Sequence, residues 1–282
     1  MVSGVDLVVI GADGGPERGY GGSALAADGA RLLADVLPGS CFDAGAAGCR
    51  VTLVEPGADA NRMLTELRGA AQRRARWLVV CLLGQLVADP KGRRLALVTG
   101  GSTPDNAYRR GLAWDWVVSA MVHGDQEETL LLVDAVADRD TWAALERGGG
   151  EDGAGELLSY SRVPLWGRVS RYTAGRRGRT GVLPGGEGSF SWALARVLEH
   201  GVPGAPAAVG PLELQDAVVT QLGWGEMASG ASAARLLVPP QGGRLLMRNR
   251  AAVRGALAGL SLSEELLALL WRENAPTDPP PA

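Results

Sequence analysis

Three short apolar runs limit how this chain folds more than any other feature: residues 5–10 (VDLVVI), 77–83 (WLVVCLL) and 129–133 (TLLLV). Each is short for a helix and too continuously apolar for a strand with one wet face. A strand buried on both faces, in a parallel sheet covered by helices, fits such a run. The intervening segments have helical spacing. Residues 23–37 place Leu25, Leu32, Leu33, Val36 and Leu37 on one stripe before a Pro38-Gly39 stop, and residues 60–76 point Met63, Leu67 and Ala71 inward. Residues 50–55 (RVTLVE) and 94–99 (RLALVT) read as further strands, and 114–122 as a helix. The alternation predicts the α/β class: a three-layer α/β/α sandwich around a mostly parallel central sheet.

Beyond Asp134 the pattern loosens. Residues 148–155 (GGGEDGAG) and 176–188 (RRGRTGVLPGGEG) read as loops able to carry a site, 189–199 and 212–222 as helices, and 244–247 as a last strand. No repeat and no clean linker interrupts the first 255 residues. The predicted division is therefore one α/β domain over 1–255, a helical appendage over 256–275 and a Pro-rich tail over 276–282.

Charge and cysteine content exclude several function classes. With 28 Lys+Arg against 31 Asp+Glu the net charge is −3, which argues against a polybasic nucleic-acid binder. No apolar run reaches the roughly 18 residues needed to cross a bilayer. The start of the chain lacks the basic and apolar regions of an export signal, so a cytoplasmic location is expected. Cys41, Cys49 and Cys81 have no Cys-x-x-Cys spacing, and His123 and His200 lie far from them in sequence, so neither a metal nor any other cofactor is expected. Cys41 and Cys49 are read as reduced thiols that oxidation would be able to close into a small loop.

Two places invite a functional reading. Gly11-Ala12-Asp13-Gly14-Gly15 follows a buried strand and precedes a helix, as a phosphate-binding turn does, but its spacing is not Gly-x-Gly-x-x-Gly and no Gly-Lys-Ser/Thr follows. The other is the paired ends of two neighbouring strands, Leu83-Gly84-Gln85-Leu86 and Asp134-Ala135-Val136, where an open α/β sheet forms its crevice and a hydrolase would place nucleophile and base.

Taken with their surroundings, these ends resemble the caspase-like clan of cysteine peptidases, in particular its short bacterial members related to metacaspases, over roughly residues 5–250. The matching pieces are Ala26-Ala27-Asp28 before Leu32-Leu33, then 92–99 (GRRLALVT) with Ser102-Thr103-Pro104-Asp105, then 188–194 (GSFSWAL), and finally 245–249 (LLMRN). Where that clan carries Ser-Gly-His-Gly with the basic histidine, this chain has Leu83-Gly84-Gln85-Leu86. Where the clan carries Asp-x-Cys with the nucleophile, this chain has Asp134-Ala135-Val136.

The resemblance implies a caspase-like fold and puts Gln85 and Val136 at the dyad positions. Glutamine takes up no proton near neutral pH and valine has no lone pair to attack with, so the resemblance implies a pseudoprotease. Gly84, Gln85, Asp134 and Trp166 are the residues expected around a vestigial cleft, with Asp134 as a charged floor or, equally, as the cap of the following helix. Arg176, Arg177 and Arg179 are expected to dock an acidic protein partner. The context implied is a regulatory or scaffolding module in a bacterial signalling or defence assembly, with self-association left open and neither nucleic acid nor membrane as partner. Two alternatives stand beside it: a working cysteine peptidase with a displaced or substituted dyad, and a nucleotide or small-molecule binder using Gly11 to Gly15.

Overall fold

The computed structural model describes residues 4–12, 24–41, 48–103, 105–147, 156, 158, 162–175, 178–180, 182–222, 234–237 and 244–252. Its elements begin with β1 (Val5–Gly11), α1 (Ala24–Ser40), β2 (Cys49–Val54), α2 (Ala60–Ala71), β3 (Trp77–Ala88) and β4 (Leu95–Leu97). There follow α3 (Ala107–Arg110), β5 (Leu112–Ala113), α4 (Trp114–Val122), β6 (Glu128–Ala137), α5 (Arg139–Glu146) and β7 (Leu165–Arg171). The last are β8 (Thr173–Gly175), β9 (Gly178–Thr180), α6 (Phe190–His200), β10 (Ala208–Val209), α7 (Pro211–Gln221), β11 (Ala234–Leu237) and β12 (Met247–Arg248).

The main sheet runs β11-β7-β6-β3-β1-β2, with β4 on the far part of β3 and β5 on β4. From β2 to β7 every pairing is parallel, and β11, β4 and β5 join antiparallel. Side chains alternate between two cores. Val8, Ile10, Leu78, Val80, Leu131 and Val133 pack beneath α2, α4 and α5, while Val9, Val79, Cys81, Leu132 and Trp166 pack beneath α1, α6 and α7. The predicted three-layer α/β/α sandwich is the observed one.

Two local differences have physical causes. In α1 Leu25 is 38% exposed, and Ala26 and Ala30 join the expected Leu33, Val36 and Leu37 on the buried face. A Cβ on Gly11 would stand 2.5 Å from the Ala26 carbonyl oxygen and 2.8 Å from the Ala30 Cβ, so helix and strand approach more closely than a leucine face allows. The helix also runs through Pro38 to Ser40. Proline costs one backbone donor there, and the final turn is closed by Cys41 N–H donating to the Leu37 carbonyl and Ser40 Oγ donating to the Val36 carbonyl.

The second difference positions the site. β3 continues to Ala88 and β6 to Ala137, beyond the predicted ends at Leu83 and Val133. β1 stops pairing at Leu83, and β4 takes its place against Leu86, Val87 and Ala88. At Leu86 β3 thus has β4 on one side and β6 on the other, and beyond it Val87 and Ala88 pair with β4.

The segment predicted as a strand at 244–247 contributes only the two-residue β12, paired with β10 in a separate sheet. Next to it, Asn249 is buried; its Nδ2 donates to the carbonyls of Val202, Ala205 and Pro206, and its Oδ1 accepts from Val202 N–H and Ala251 N–H. Asn249→Ala is expected to lower the unfolding free energy by about 1–3 kcal/mol, since it strands buried backbone groups; urea titration measures the loss. The predicted appendage and tail, 256–282, lie outside the described residues, as do residues 148–155 and 13–23, which include most of the Gly11 to Gly15 turn.

Candidate functional site

Gln85 and Val136 are register partners on the adjacent parallel strands β3 and β6. Cross-strand partners in a sheet point to the same face, so the two side chains stand next to each other. They sit within strands and not on loops. The Gln85 carbonyl accepts from Val98 N–H at 2.8 Å, Gln85 is half-buried, and Val136 is 4% exposed. Gly84 fits this place because its φ is +153° and a Cβ would stand 2.9 Å from the Ala12 carbonyl oxygen. There the end of β1 closes on β3, with Ala12 N–H donating to the Leu83 carbonyl at 2.8 Å.

Two residues before Val136, on the same face, Asp134 is buried in the strand. Its Oδ2 accepts from Ser191 N–H at 2.9 Å, from Ser191 Oγ, and from Gly185 N–H at 3.3 Å. The helix that follows in sequence, α5, is capped by Asp138, which accepts from Thr141 N–H at 2.8 Å. Asp134 therefore does not cap the helix that follows it; it satisfies a first-turn donor of α6, 57 residues on.

Its register partner on β7 is Arg168, 1% exposed, whose guanidinium donates to the Gly188 carbonyl at 3.0 Å. Burial pushes the Arg168 pKa below its usual value, and the negative field of Asp134 opposes that shift. Above this pair the chain's own loop is packed down. Gly185 has φ +80°, and a Cβ there would fall 1.8 Å from the Leu25 carbonyl oxygen and 2.9 Å from the Gly29 Cα. The space between α1 and the start of α6 is thus filled at Asp134 by the segment around Gly185.

Trp166, expected on a cleft wall, lies in the core. It is 0% exposed, makes an edge-on contact with Phe190 (centroids 5.4 Å apart, planes at 77°), and donates from Nε1 to Gln215 Oε1. Its position on β7 turns it under α6 and α7 and away from the strand ends. Of the loop arginines, Arg179 lies on β9 opposite Ala174 in the β8-β9 hairpin, while Arg176 and Arg177 lie outside the described residues.

An open cavity of about 850 Å³ begins just past the Gln85–Val136 pair, at the ends of β3 and β6. Val87, Asp89, Tyr108, Arg109, Arg139 and Arg147 are among the residues lining it. Asp89 Oδ1 accepts from Arg93 and Arg94 N–H, and the turn's backbone donors lower its pKa although burial raises it.

The remaining nucleophile and base candidates are placed elsewhere. Cys81 is wholly buried in mid-strand, and burial pushes its thiol far above the ordinary range, which disfavours the thiolate. His123 and His200 stand at the ends of α4 and α6, where their Nδ1 atoms bond the Ser119 and Arg196 carbonyls. Among the described residues no group of acidic, histidine and cysteine side chains is disposed to hold a metal, and no helix is long and apolar enough to cross a membrane.

Sequence reasoning missed Arg168, Ser191 and Gly185. Ser189 alone carried a signal: a serine opening an apolar helical run is an N-cap, and it accepts from Trp192 N–H.

No family model and no curated protein matches this chain. Among solved structures it is similar to pro-sf-caspase-1 (TM-score 0.40, 13% identity, covering 84% of this chain and 92% of that one). It is also similar to caspase-1 from Spodoptera frugiperda (0.43, 15%, 84% and 87%) and to a protein from Geobacter sulfurreducens (0.46, 13%, 87% and 97%).

Proposed function

We propose that this chain is a caspase-like domain that does not hydrolyse peptides and works by binding a protein partner. The observation that carries the reading is the register pairing of Gln85 with Val136. The two residues that resemble the base and nucleophile positions of the clan meet side by side, and neither has the chemistry of its counterpart. Thiol attack on a carbonyl needs a thiolate and a group that takes up its proton. An amide and an isopropyl group supply neither, and in cooperating nucleophile–base systems loss of one member already removes most of the rate.

The binding surface in this reading is the cavity beyond the pair, where Arg109, Arg139 and Arg147 stand among Asp89, Asp105, Asp138 and Asp140 and suit a partner segment carrying both signs of charge; Arg176, Arg177 and Arg179 are proposed as separate contacts to an acidic stretch of that partner. A signalling or defence assembly in a bacterial cytoplasm is the setting this proposal favours.

Purified protein mixed with fluorogenic peptides ending in Arg, Lys or Asp is expected to show no turnover above a heat-inactivated sample. Turnover that disappears in Cys41→Ala or Cys81→Ala would overturn the proposal in favour of a working peptidase. The binding half is tested separately: a co-purifying partner should be lost from Arg139→Glu/Arg147→Glu, and its full retention rejects the cavity as the docking place.

A further inference from the structure

β2 is the outer strand of the main sheet on one side, and among the described residues nothing pairs with its far edge. It pairs with β1 in unbroken register from Cys49 to Val54, without a bulge, and the run holds no proline. Natural edge strands are commonly blunted by a bulge, a proline or a charge in mid-strand. Here the charge, Arg50, stands near the start, and Val51 to Val54 carry none. Leu7 and Val9 of β1 are buried in the core beneath α1, whereas their register partners Val51 and Leu53 are 37% and 41% exposed. Exposed apolar side chains scattered singly are ordinary, but two on one face of an open edge suit an added strand.

We propose that β2 pairs antiparallel with β2 of a second copy of this chain, about a two-fold axis that passes through Thr52 perpendicular to the sheet. Such an axis keeps each face of the sheet on its own side, so opposed residues are both odd-numbered or both even-numbered. Centring on Thr52 sets Val51 against the partner's Leu53 and Leu53 against the partner's Val51, which gathers four exposed apolar side chains on the α1 face. On the α2 face Thr52 meets its own copy. Centring on Leu53 loses that match, because Val51 then opposes the partner's Glu55.

Charge at the two ends of β2 selects the antiparallel direction. At its start Arg50 lines a cavity with Arg73 and Arg74, and the one carboxylate there, Asp6, is bonded to Arg73 at 2.9 Å. Past its end come Glu55 and Asp59, both exposed. Antiparallel pairing brings the basic end of each copy beside the acidic end of the other, and parallel pairing brings like beside like. The two-fold arrangement also closes, since neither β2 keeps an edge that recruits a third chain.

Sedimentation of the full chain at micromolar concentration is expected to show a dimer that dissociates on dilution. Val51→Lys/Leu53→Lys sets four lysines against one another across the axis and is expected to give a monomer. Both positions are exposed, so its circular dichroism should match that of the diluted parent chain. In a chain carrying Cys49→Ser, Thr52→Cys is expected to form a covalent dimer under mild oxidation. Opposed residues of an antiparallel pair stand about 4.5–5.5 Å apart at Cα, within disulfide reach. Leu53→Cys in the same background opposes Val51 and should stay unlinked. A monomer at every concentration, a dimer that survives the two lysines, or a mass that keeps growing with concentration would overturn the proposal. Linking through Leu53→Cys and not through Thr52→Cys would overturn the register. None of these outcomes depends on whether the domain hydrolyses peptides.

Discussion

Asp134→Ala is expected to lower the unfolding free energy by about 3–5 kcal/mol, the usual cost of removing one partner from a buried charged pair. The carboxylate is buried opposite Arg168, a guanidinium whose pKa burial already depresses. Without Asp134 that cation loses its nearby negative field. Ser191 N–H, Ser191 Oγ and Gly185 N–H lose their acceptor at the same time. Ser191→Ala removes only the hydroxyl from this cluster and is expected to cost about 1.5–3 kcal/mol, the range for a hydrogen bond to a charged group. Guanidinium titration of both variants, with unchanged slopes, separates the effects. A loss below about 1 kcal/mol for Asp134→Ala would mean that the carboxylate is solvated and does not anchor α6.

The parts of the fold that were legible in the sequence are those whose burial is decided locally. Residues 5–10, 77–83 and 129–133 are apolar on both faces, and no neighbour had to be known to place them inside a parallel sheet. The far half of β3 was illegible because Gln85 interrupts the apolar run, and the strand persists only because β4 comes back against Leu86, Val87 and Ala88. The leucine stripe of α1 held at Leu33, Val36 and Leu37 and failed at Leu25, because glycines at 11, 29 and 185 let small residues form the tight face at that end.

Of the candidate site the sequence singled out Gly84, Gln85, Asp134 and Val136, and it did not show the partners that Asp134 finds. Resemblance picked out positions 85 and 136, and the register places them together. No spacing rule connects Asp134 to Ser191, since their bond depends on where α6 lands after the intervening chain has crossed the sheet. Arg168 is masked for a similar reason. An arginine between Gly167 and Val169 looks like a strand edge until Asp134 and Gly188 are seen around it. The cysteines show the reverse case: 41 and 49 were noted as neighbours in sequence, and the antiparallel bridge to Met247 that fixes Cys41 was not readable.

Trp166→Ala is expected to cost about 3–5 kcal/mol, because the side chain is fully buried and the hole left by an indole collapses only in part. The effect should reach the site. Trp166 meets Phe190 edge-on, and Phe190 is the first residue of α6, directly before the serine that bonds Asp134. A shift of Phe190 into the vacated space displaces Ser191 from the carboxylate. Trp166→Phe keeps an aromatic ring but deprives Gln215 Oε1 of its donor, and its expected cost is the smaller one of about 1–3 kcal/mol for a buried polar group left unpaired. The coupling is measurable as a double-mutant cycle. Trp166→Ala combined with Ser191→Ala should destabilise by less than the sum of the two, by about 0.5–3 kcal/mol, since the first change has already loosened the bond that the second removes. Strict additivity would instead mean that Phe190 holds its place without Trp166 and that core and site are anchored independently.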